Sequence, residues 1–197
     1  MRGLFITIDG IDGAGSSTQV KMLVDRLNSI GHSAIGTKEP NPEGPIEPII
    51  REIIRRPILS PELEALLFAA DRIYHVEAFI KPWLREGKIV VSDRYLESSI
   101  AYQTIQGLEE DWILTINRGA IKPDISIILD IDPRISLKRK GKASDRFEDI
   151  EFLRKVREKF LDRARRIGHF VINAEKSIME VHEEILEIVL KALNRKL

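Results

Sequence analysis

The sequence predicts an α/β fold, a five-stranded parallel sheet with helices on both faces in three α/β/α layers. Five short apolar runs alternate with segments whose apolar residues recur at helical spacing. The run KIVVSD is apolar almost throughout, which is typical of a strand covered on both faces. A glycine-rich turn joins the first run to the first helix. The 197 residues are sufficient for a single domain, residues 1–197.

The first part of the chain predicts two strands, two helices and a loop. LFITI and SAIGTKEP are the strands, and VKMLVDRL predicts the helix between them, which ends at Gly31. Residues 41–48 hold three prolines and a glycine and therefore predict a loop. A helix from about residue 47 to residue 56 follows, and Pro57 ends it.

The longest helical pattern covers residues 60–87. Ser60 is a suitable N-cap, Pro61 suits the first turn, and Gly87 ends the pattern. Pro82 lies inside it and predicts a kink. KIVVSD is the third predicted strand.

The second half of the chain continues the alternation. SSIAYQTIQG and DWILTINRGA predict two short helices, and PDISIILDID predicts the fourth strand. PRISLKRK predicts a helix that breaks into a charged segment. A long amphipathic helix, the strand GHFVINA and a closing helix from SIMEVHEE onward complete the pattern.

The strand–turn–helix at the start has the layout of a phosphate-binding loop. Gly10 and Gly15 satisfy the spacing G-x-x-x-x-G, and Ser17 stands where a hydroxyl would reach Mg²⁺. Backbone N–H groups of such a loop and the start of its helix bind anions. The lysine expected after Gly15 is Ser16. The loop therefore predicts a nucleotide site in which one cation comes from elsewhere.

Composition excludes several classes of function. Acidic and basic residues balance at 31 each, which predicts no global attraction to nucleic acid or to an anionic membrane. The chain has no cysteine, so disulfides and cysteine-rich metal sites are excluded. No signal peptide and no apolar run of membrane-spanning length is recognisable, and we expect a cytoplasmic protein.

Charged residues follow most of the predicted strands, at the edge where ligands bind in such sheets. Asp93 and Arg94 come directly after the third strand, where an aspartate can hold Mg²⁺ and an arginine can bind a phosphoryl group. Phe68 and Arg72, four residues apart, share one helix face suited to stacking on a base and donating to its carbonyls. The alternative interpretations are an Asp–Arg pair at the surface for Asp93 and Arg94, and a core phenylalanine with a surface arginine for Phe68 and Arg72.

A basic cluster around residue 141 is the other candidate for chemistry. It predicts a short lid, about residues 139–147, that closes over phosphates. The four histidines have no metal-binding spacing, and Asp71 and His75 are interpreted as solvated or locally paired.

These motifs resemble those of one family. The stretches DGIDGAG, TKEP, LLFAADRIYH, SDRYLESSIAYQ, KPD with LDIDP, SDRFE and INA cover nearly the whole chain. The sequence resembles the thymidylate kinases, the dTMP kinases among the P-loop nucleoside monophosphate kinases. The resemblance implies transfer of the ATP γ-phosphoryl group to dTMP with Mg²⁺, and a homodimer.

The resemblance also implies roles for individual residues. Those implied for dTMP are Asp12, Lys38, Pro40, Phe68, Arg72, Arg94, Ser99, Tyr102 and Gln103. Those implied for ATP are Gly10, Gly13, Ala14, Gly15, Ser16, Ser17, Thr18 and Arg139. Ser17 and Asp93 would lie at the metal, and Asp12, Arg94 and Arg146 would be catalytic.

Three departures from the family pattern bear on the phosphates. Ser16 replaces the loop lysine, Lys38 replaces the arginine of the usual TREP, and residues 41–44 replace the usual GGT. The family divides by the position of an extra catalytic arginine. The glycine loop of this chain has no arginine, so the chain resembles the subgroup in which the lid supplies this residue. Arg146 is then the candidate for this arginine. Our hypothesis is that a lid cation, Arg146, Arg139 or Lys142, also replaces the missing lysine over the β- and γ-phosphates.

Two alternatives to an active dTMP kinase stay open. One is a kinase for another monophosphate, such as dUMP, or for a deoxynucleoside, because one methyl group is worth only about 1–3 kcal/mol of discrimination. The other is a nucleotide-binding protein that lost catalysis together with its lysine. The apolar stripe of the long helix, which consists of Leu63, Leu66, Leu67 and Ala70, provides either a dimer interface or part of the core.

Overall fold

A computed structural model describes residues 3–140 and 149–196 and confirms the predicted fold class. Its sheet has five parallel strands in the order β2-β3-β1-β4-β5. The strands are β1 (Leu4–Gly10), β2 (Ala34–Lys38), β3 (Ile89–Asp93), β4 (Ile125–Asp130) and β5 (Phe170–Asn173). β1 occupies the centre, so the glycine loop that follows it lies in the middle of the sheet edge.

Helices connect the strands and cover both faces of the sheet. They are α1 (Ser16–Ser29), α2 (Glu47–Ile54), α3 (Pro61–His75), α4 (Lys81–Arg85), α5 (Leu96–Ile105), α6 (Glu110–Ile116), α7 (Pro133–Lys140), α8 (Ile150–Ile167) and α9 (Ile178–Lys196). Successive residues of β1 point to opposite faces. Phe5 packs with Val76 and Ile80 on one face, whereas Ile6 belongs to the larger apolar cluster that contains Leu23 of α1.

The long helical pattern is not the single kinked helix that the sequence predicted. α3 begins as expected, because the Ser60 hydroxyl accepts the Leu63 N–H at 3.1 Å. It continues into a π-helical turn, Val76–Ile80, directly before α4. Pro82 offers no N–H to the carbonyl one turn earlier, and the wider turn upstream accommodates that loss. The backbone irregularity therefore lies before the proline.

Within the described ranges, no helix combines the length and apolar character needed to cross a membrane. The single-domain organisation and the cytoplasmic location stay predictions.

Candidate active site

The glycine loop joins β1 to α1 with backbone geometry that requires glycine. Gly13 has φ 80° and Gly15 has φ 98°, in the left-handed region that other residues rarely adopt. A Cβ atom on Gly13 would lie 2.4 Å from the carbonyl oxygen of Ser136. Any side chain there would push the loop away from α7. The predicted strand–turn–helix is thus confirmed, and the start of α1 opens onto a cavity.

This glycine-loop cavity has a volume of about 840 Å³, within the range of about 300–1,000 Å³ that small-molecule sites occupy. Its wall is formed by the loop, the end of β3, α7 and the segment after β5. The predicted ATP residues from Gly13 to Thr18 line it, as does Arg139, which donates to the Ala174 carbonyl at 2.9 Å. Gly10 does not line it but is buried below. The structure therefore gathers the predicted ATP residues, except Gly10, around one cavity.

Ser17 and Asp93 form a pair at the junction of α1 and β3. The Ser17 hydroxyl donates to Oδ2 of Asp93. Oδ1 of Asp93 is buried and has no hydrogen-bond partner among the described residues. A hydroxyl beside a carboxylate with one unsatisfied oxygen is an oxygen donor set of the kind that Mg²⁺ prefers. The two residues predicted for the metal fit that ion.

Arg94 is held by three contacts at the end of β3. Its guanidinium donates to the Gly10 carbonyl at 2.9 Å and to the Ser98 hydroxyl at 3.2 Å, and it forms an ion pair with Asp12. Burial disfavours its charge, but the neighbouring Tyr102 and Asp12 more than compensate and raise the pKa of Arg94. Arg94 itself has φ 69°, an uncommon backbone conformation for a non-glycine residue. The guanidinium is thus charged and fixed.

Asp9, which the sequence analysis did not single out, hydrogen-bonds the turn that follows β3 and contains Arg94. Its Oδ1 accepts the Tyr95 N–H at 2.9 Å, the Ser98 N–H at 3.1 Å and the Ser98 hydroxyl at 2.6 Å. Burial raises the pKa of Asp9 to about 6, although the hydrogen bonds from Ser98 and Tyr95 oppose the shift. Ionisation of the Asp9 carboxyl, which positions the turn that contains Arg94, is therefore unfavourable in the folded protein.

Asp9 makes stability depend on pH. Because its pKa rises from 3.8 to about 6 on folding, the native state binds more protons between these values, and the unfolding free energy falls as pH rises through this window. We expect Asp9→Asn to gain on the order of 3 kcal/mol relative to the unsubstituted chain between pH 4 and pH 7. Urea unfolding at both pH values measures this. Asp25→Asn, at an exposed site on α1, is the control; equal slopes for Asp9→Asn and the unsubstituted chain would contradict the prediction.

A second cavity, the α3–α5 cavity, lies between these two helices. Except for Lys38, the residues predicted for dTMP line it together: Asp12, Pro40, Phe68, Arg72, Arg94, Ser99, Tyr102 and Gln103. Lys38 is exposed and lines a different cavity beside Ser17 and Asp93. Side chains alternate along the end of β2, so Glu39 rather than Lys38 faces the α3–α5 cavity. Lys38 therefore lies apart from the other residues predicted for dTMP, and its role stays a prediction.

Arg72 is almost fully buried, with 2 % of its surface exposed. Its guanidinium donates to Glu39 at 2.7 Å, Asn117 at 2.6 Å and the Ser99 hydroxyl at 2.9 Å. The alternative of a surface arginine is excluded. The contacts of Arg72 with Glu39 and Asn117 were not predicted, because nothing in the local sequence indicates partners so distant along the chain.

Asp71 and His75 are not solvated; of the two interpretations that the sequence left open, the structure supports pairing, with partners that are distant along the chain. Both are buried on α3. Asp71 accepts the backbone N–H of Asn41 at 2.8 Å, and burial raises the pKa of Asp71 to about 6. His75 hydrogen-bonds Thr37 at 2.7 Å and Glu39 at 3.2 Å. The two side chains attach α3 to β2 and to the segment that follows it, and so shape one wall of the α3–α5 cavity.

Tyr102 connects the cavity to the glycine loop. Its phenolic oxygen accepts the Asp12 N–H at 3.3 Å, and its ring lies 5.6 Å from the Arg94 guanidinium carbon. Burial raises the pKa of Tyr102 to about 12, with Arg94 opposing the shift, so the hydroxyl is neutral at physiological pH. Asp12 and Arg94 line both cavities. The two cavities therefore meet at this ion pair.

The predicted lid lies mostly outside the described residues. Arg139 is described, whereas Arg146 and the rest of the segment from residue 141 are not.

Comparison with known proteins identifies the family. The profile of the thymidylate kinase family matches residues 8–185. The chain belongs to the thymidylate kinase family. Its relatives include the probable thymidylate kinase of Pyrobaculum aerophilum, 41% identical over 98% of this chain and 99% of the relative. The probable thymidylate kinase of Thermococcus kodakarensis is 42% identical, over 94% and 97%. The thymidylate kinase of Halothermothrix orenii is 40% identical, over 94% and 95%. The match to thymidylate kinases spans both cavities.

Proposed function

We propose that this thymidylate kinase family member transfers the γ-phosphoryl group of ATP to dTMP, giving dTDP and ADP. The observation that carries the proposal is the meeting of the two cavities at Asp12 and Arg94. A nucleoside triphosphate on the glycine loop and a monophosphate in the α3–α5 cavity would direct their phosphates at the same two residues. Phosphoryl transfer needs this placement more than it needs covalent chemistry from the protein.

In the α3–α5 cavity, the proposed roles follow from the shape and polarity of its wall. Phe68 would stack on the thymine ring, and Arg72 would donate to its carbonyl edge, with Ser99 and Gln103 beside it. Tyr102 would lie against the deoxyribose, and Pro40 would complete the wall. Arg94 would hold the monophosphate oxygens, because its fixed guanidinium offers a planar fork to them.

At the glycine loop, the backbone N–H groups from Gly13 to Thr18 would bind the ATP phosphates, and Arg139 would flank the adenine. Ser17 and Asp93 would hold Mg²⁺, which would supply charge neutralisation at the phosphates. Asp12 would orient Arg94 and contact the sugar hydroxyl or the metal-bound water. Arg94 would neutralise the phosphoryl oxygens with a charge that a guanidinium keeps at any physiological pH, and the ion pair with Asp12 would hold it in position.

A coupled ADP-release assay tests this function. The purified chain is incubated with ATP, Mg²⁺ and each of dTMP, dUMP, dCMP, dGMP, UMP and thymidine. We expect turnover confined to dTMP, or to dTMP and dUMP, and its abolition by excess EDTA. Turnover with a different acceptor would contradict the base-pocket roles, and nucleotide binding with no turnover would favour the catalytically inactive alternative.

We also propose a homodimer formed through α3. The sequence left open whether the apolar stripe of this helix is core or interface. In that stripe Leu63 is 37% exposed, Leu66 is 48% exposed and Ala70 is also exposed, whereas Leu67 is half-buried, so most of the stripe is not part of the core of one chain. Tyr74, further along α3, is 40% exposed as well. Apolar surface that is contiguous on one helix face favours association. Sedimentation equilibrium measures the mass, and a monomer across micromolar concentrations would contradict the proposal.

A further inference from the structure

The guanidinium of Arg72 has nearly all of its donors engaged by the protein. Nε donates to Glu39, Nη1 donates to Asn117, and Nη2 donates to the Ser99 hydroxyl at 2.9 Å and to the Tyr95 carbonyl at 3.3 Å. A guanidinium has five N–H groups, and these contacts engage four of them. One N–H of Nη1 is left for a ligand in the α3–α5 cavity, which Arg72 lines. The position of that hydrogen depends on what holds the rest of the group.

Asn117 holds the Nη1 end. It lies just after α6 and is 3% exposed. Its Nδ2 donates to the Ile113 carbonyl at 2.8 Å, so its Oδ1 must be the atom that faces Arg72, at 2.6 Å from Nη1. Its own backbone N–H and carbonyl are also hydrogen-bonded, to Ile113 and Ala120. The acceptor for Arg72 therefore sits on a side chain that cannot turn without losing a buried hydrogen bond.

Glu39 holds the opposite end. Its Oε2 accepts Nε of Arg72 at 2.7 Å, and its Oε1 hydrogen-bonds Nδ1 of His75 at 3.2 Å. Its backbone N–H donates to the Asp93 carbonyl at 3.0 Å, which fixes it at the end of the sheet. Side chains from two different parts of the chain thus hydrogen-bond both ends of the Arg72 guanidinium and fix its orientation.

We propose that Asn117 is a positioning residue for base selection: together with Glu39 it locks Arg72 so that one N–H points at the base and selects a carbonyl oxygen over an amino group. The inference rests on the proposed function and deepens it. The ligand class is a pyrimidine nucleotide with a carbonyl at ring position 4, such as dTMP or dUMP, as opposed to a 4-amino pyrimidine such as dCMP.

The selection follows from the cost of unpaired donors. A carbonyl oxygen accepts the fixed N–H, whereas an amino group presents its own hydrogens to it and leaves both groups unsatisfied in a buried place. Sites built around a fixed hydrogen bond discriminate far better than apolar pockets do. If Arg72 were able to rotate, it would withdraw the N–H from an amino group and the penalty would shrink. Rigidity of the guanidinium is therefore part of the specificity.

The Asn117→Ala variant tests the proposal. Its steady-state kinetics are measured with dTMP and with dCMP, and each nucleotide is also tested as an inhibitor of the reaction of the other. We expect the KM for dTMP to rise more than kcat falls, and the preference for dTMP over dCMP to drop about tenfold or more. Asn117→Asp keeps an acceptor for Arg72 but loses the hydrogen bond to the Ile113 carbonyl, so it should retain more of the preference than Asn117→Ala does. Asn117→Ser has a shorter side chain whose hydroxyl does not reach Nη1, so this variant should lose the preference for dTMP over dCMP, as Asn117→Ala does. It replaces the alanine variant in the experiment if that variant does not fold.

Ser126→Ala is the matched control. It removes a buried hydrogen bond of 2.8 Å between Ser126 and Thr7 within the sheet, and neither residue lines the two cavities. We expect it to lower Tm without changing the dTMP to dCMP ratio. A folded Asn117→Ala or Asn117→Ser variant with an unchanged ratio would overturn the inference. Absence of dTMP turnover in the unsubstituted chain would instead overturn the proposed function.

Discussion

Arg94→Lys should lower kcat/KM for dTMP by about 10²–10³-fold, the usual effect of removing a preorganised transition-state donor. The Arg94 guanidinium contacts the Gly10 carbonyl, the Ser98 hydroxyl and Asp12 together. An ammonium group keeps the charge but has no planar fork with which to hold these contacts and a phosphate at once. The substitution also leaves the backbone strain at φ 69° unchanged, since neither residue is glycine. Steady-state kinetics with varied dTMP and with varied ATP give the loss for each substrate.

The control for this experiment is Arg134→Lys. Arg134 is exposed on α7 and lines neither cavity, so the same chemical change there should leave kcat/KM and Tm as they are. Arg94→Lys should lose activity against both substrates, because Arg94 lines both cavities. Near-normal kcat/KM in a folded Arg94→Lys variant would contradict its proposed role at the phosphates.

The fold was predictable from the sequence because its signals are local. KIVVSD and PDISIILDID are apolar enough to indicate buried parallel strands, and the structure places them on either side of β1. The π-helical turn Val76–Ile80 was not predictable in this way. A proline predicts an irregularity in a helix but not on which side of it the backbone widens, since that depends on what the helix packs against.

The site was predictable where helical spacing or strand ends bring residues together. Phe68 and Arg72 line one cavity, as their spacing of one helical turn indicated. The hydrogen-bond partners of Arg72 could not be predicted from the sequence, because Glu39 and Asn117 lie 33 and 45 residues away along the chain. Lys38 lies outside that cavity for a related reason: a sequence indicates where a strand ends, but one residue of register decides which side chain faces the cavity.

Because the glycine loop has no lysine, other cationic side chains must neutralise the phosphates of a bound ATP. Among the described residues, the arginine and lysine side chains that line the glycine-loop cavity are Arg94, Arg139 and Lys176. Each already has a partner: Asp12 for Arg94, the Ala174 carbonyl for Arg139, and Glu184 for Lys176 at 2.6 Å. The hypothesis that a lid cation such as Arg146 replaces the loop lysine stays a prediction.

Arg146→Ala should then lower kcat by about 10³-fold or more, the magnitude of arginines that stabilise phosphoryl-transfer charge. The KM for dTMP should change little, because the lost contact would form with the transferring phosphoryl group rather than with the base. Arg165→Ala, at an exposed arginine of α8, is the control and should leave kcat unchanged. Near-full turnover of Arg146→Ala would rule out the lid arginine.

Ser16→Lys separates a missing charge from a rebuilt loop. Ser16 lines the glycine-loop cavity, so a lysine there would bring an ammonium group to the bound phosphates. If the lid cation replaces the loop lysine, Ser16→Lys should raise kcat/KM for ATP and should restore part of the turnover lost in Arg146→Ala. Additive losses in the double variant would instead show that the loop around Ser16 no longer accepts a cation and that the lid acts at a different point of the reaction.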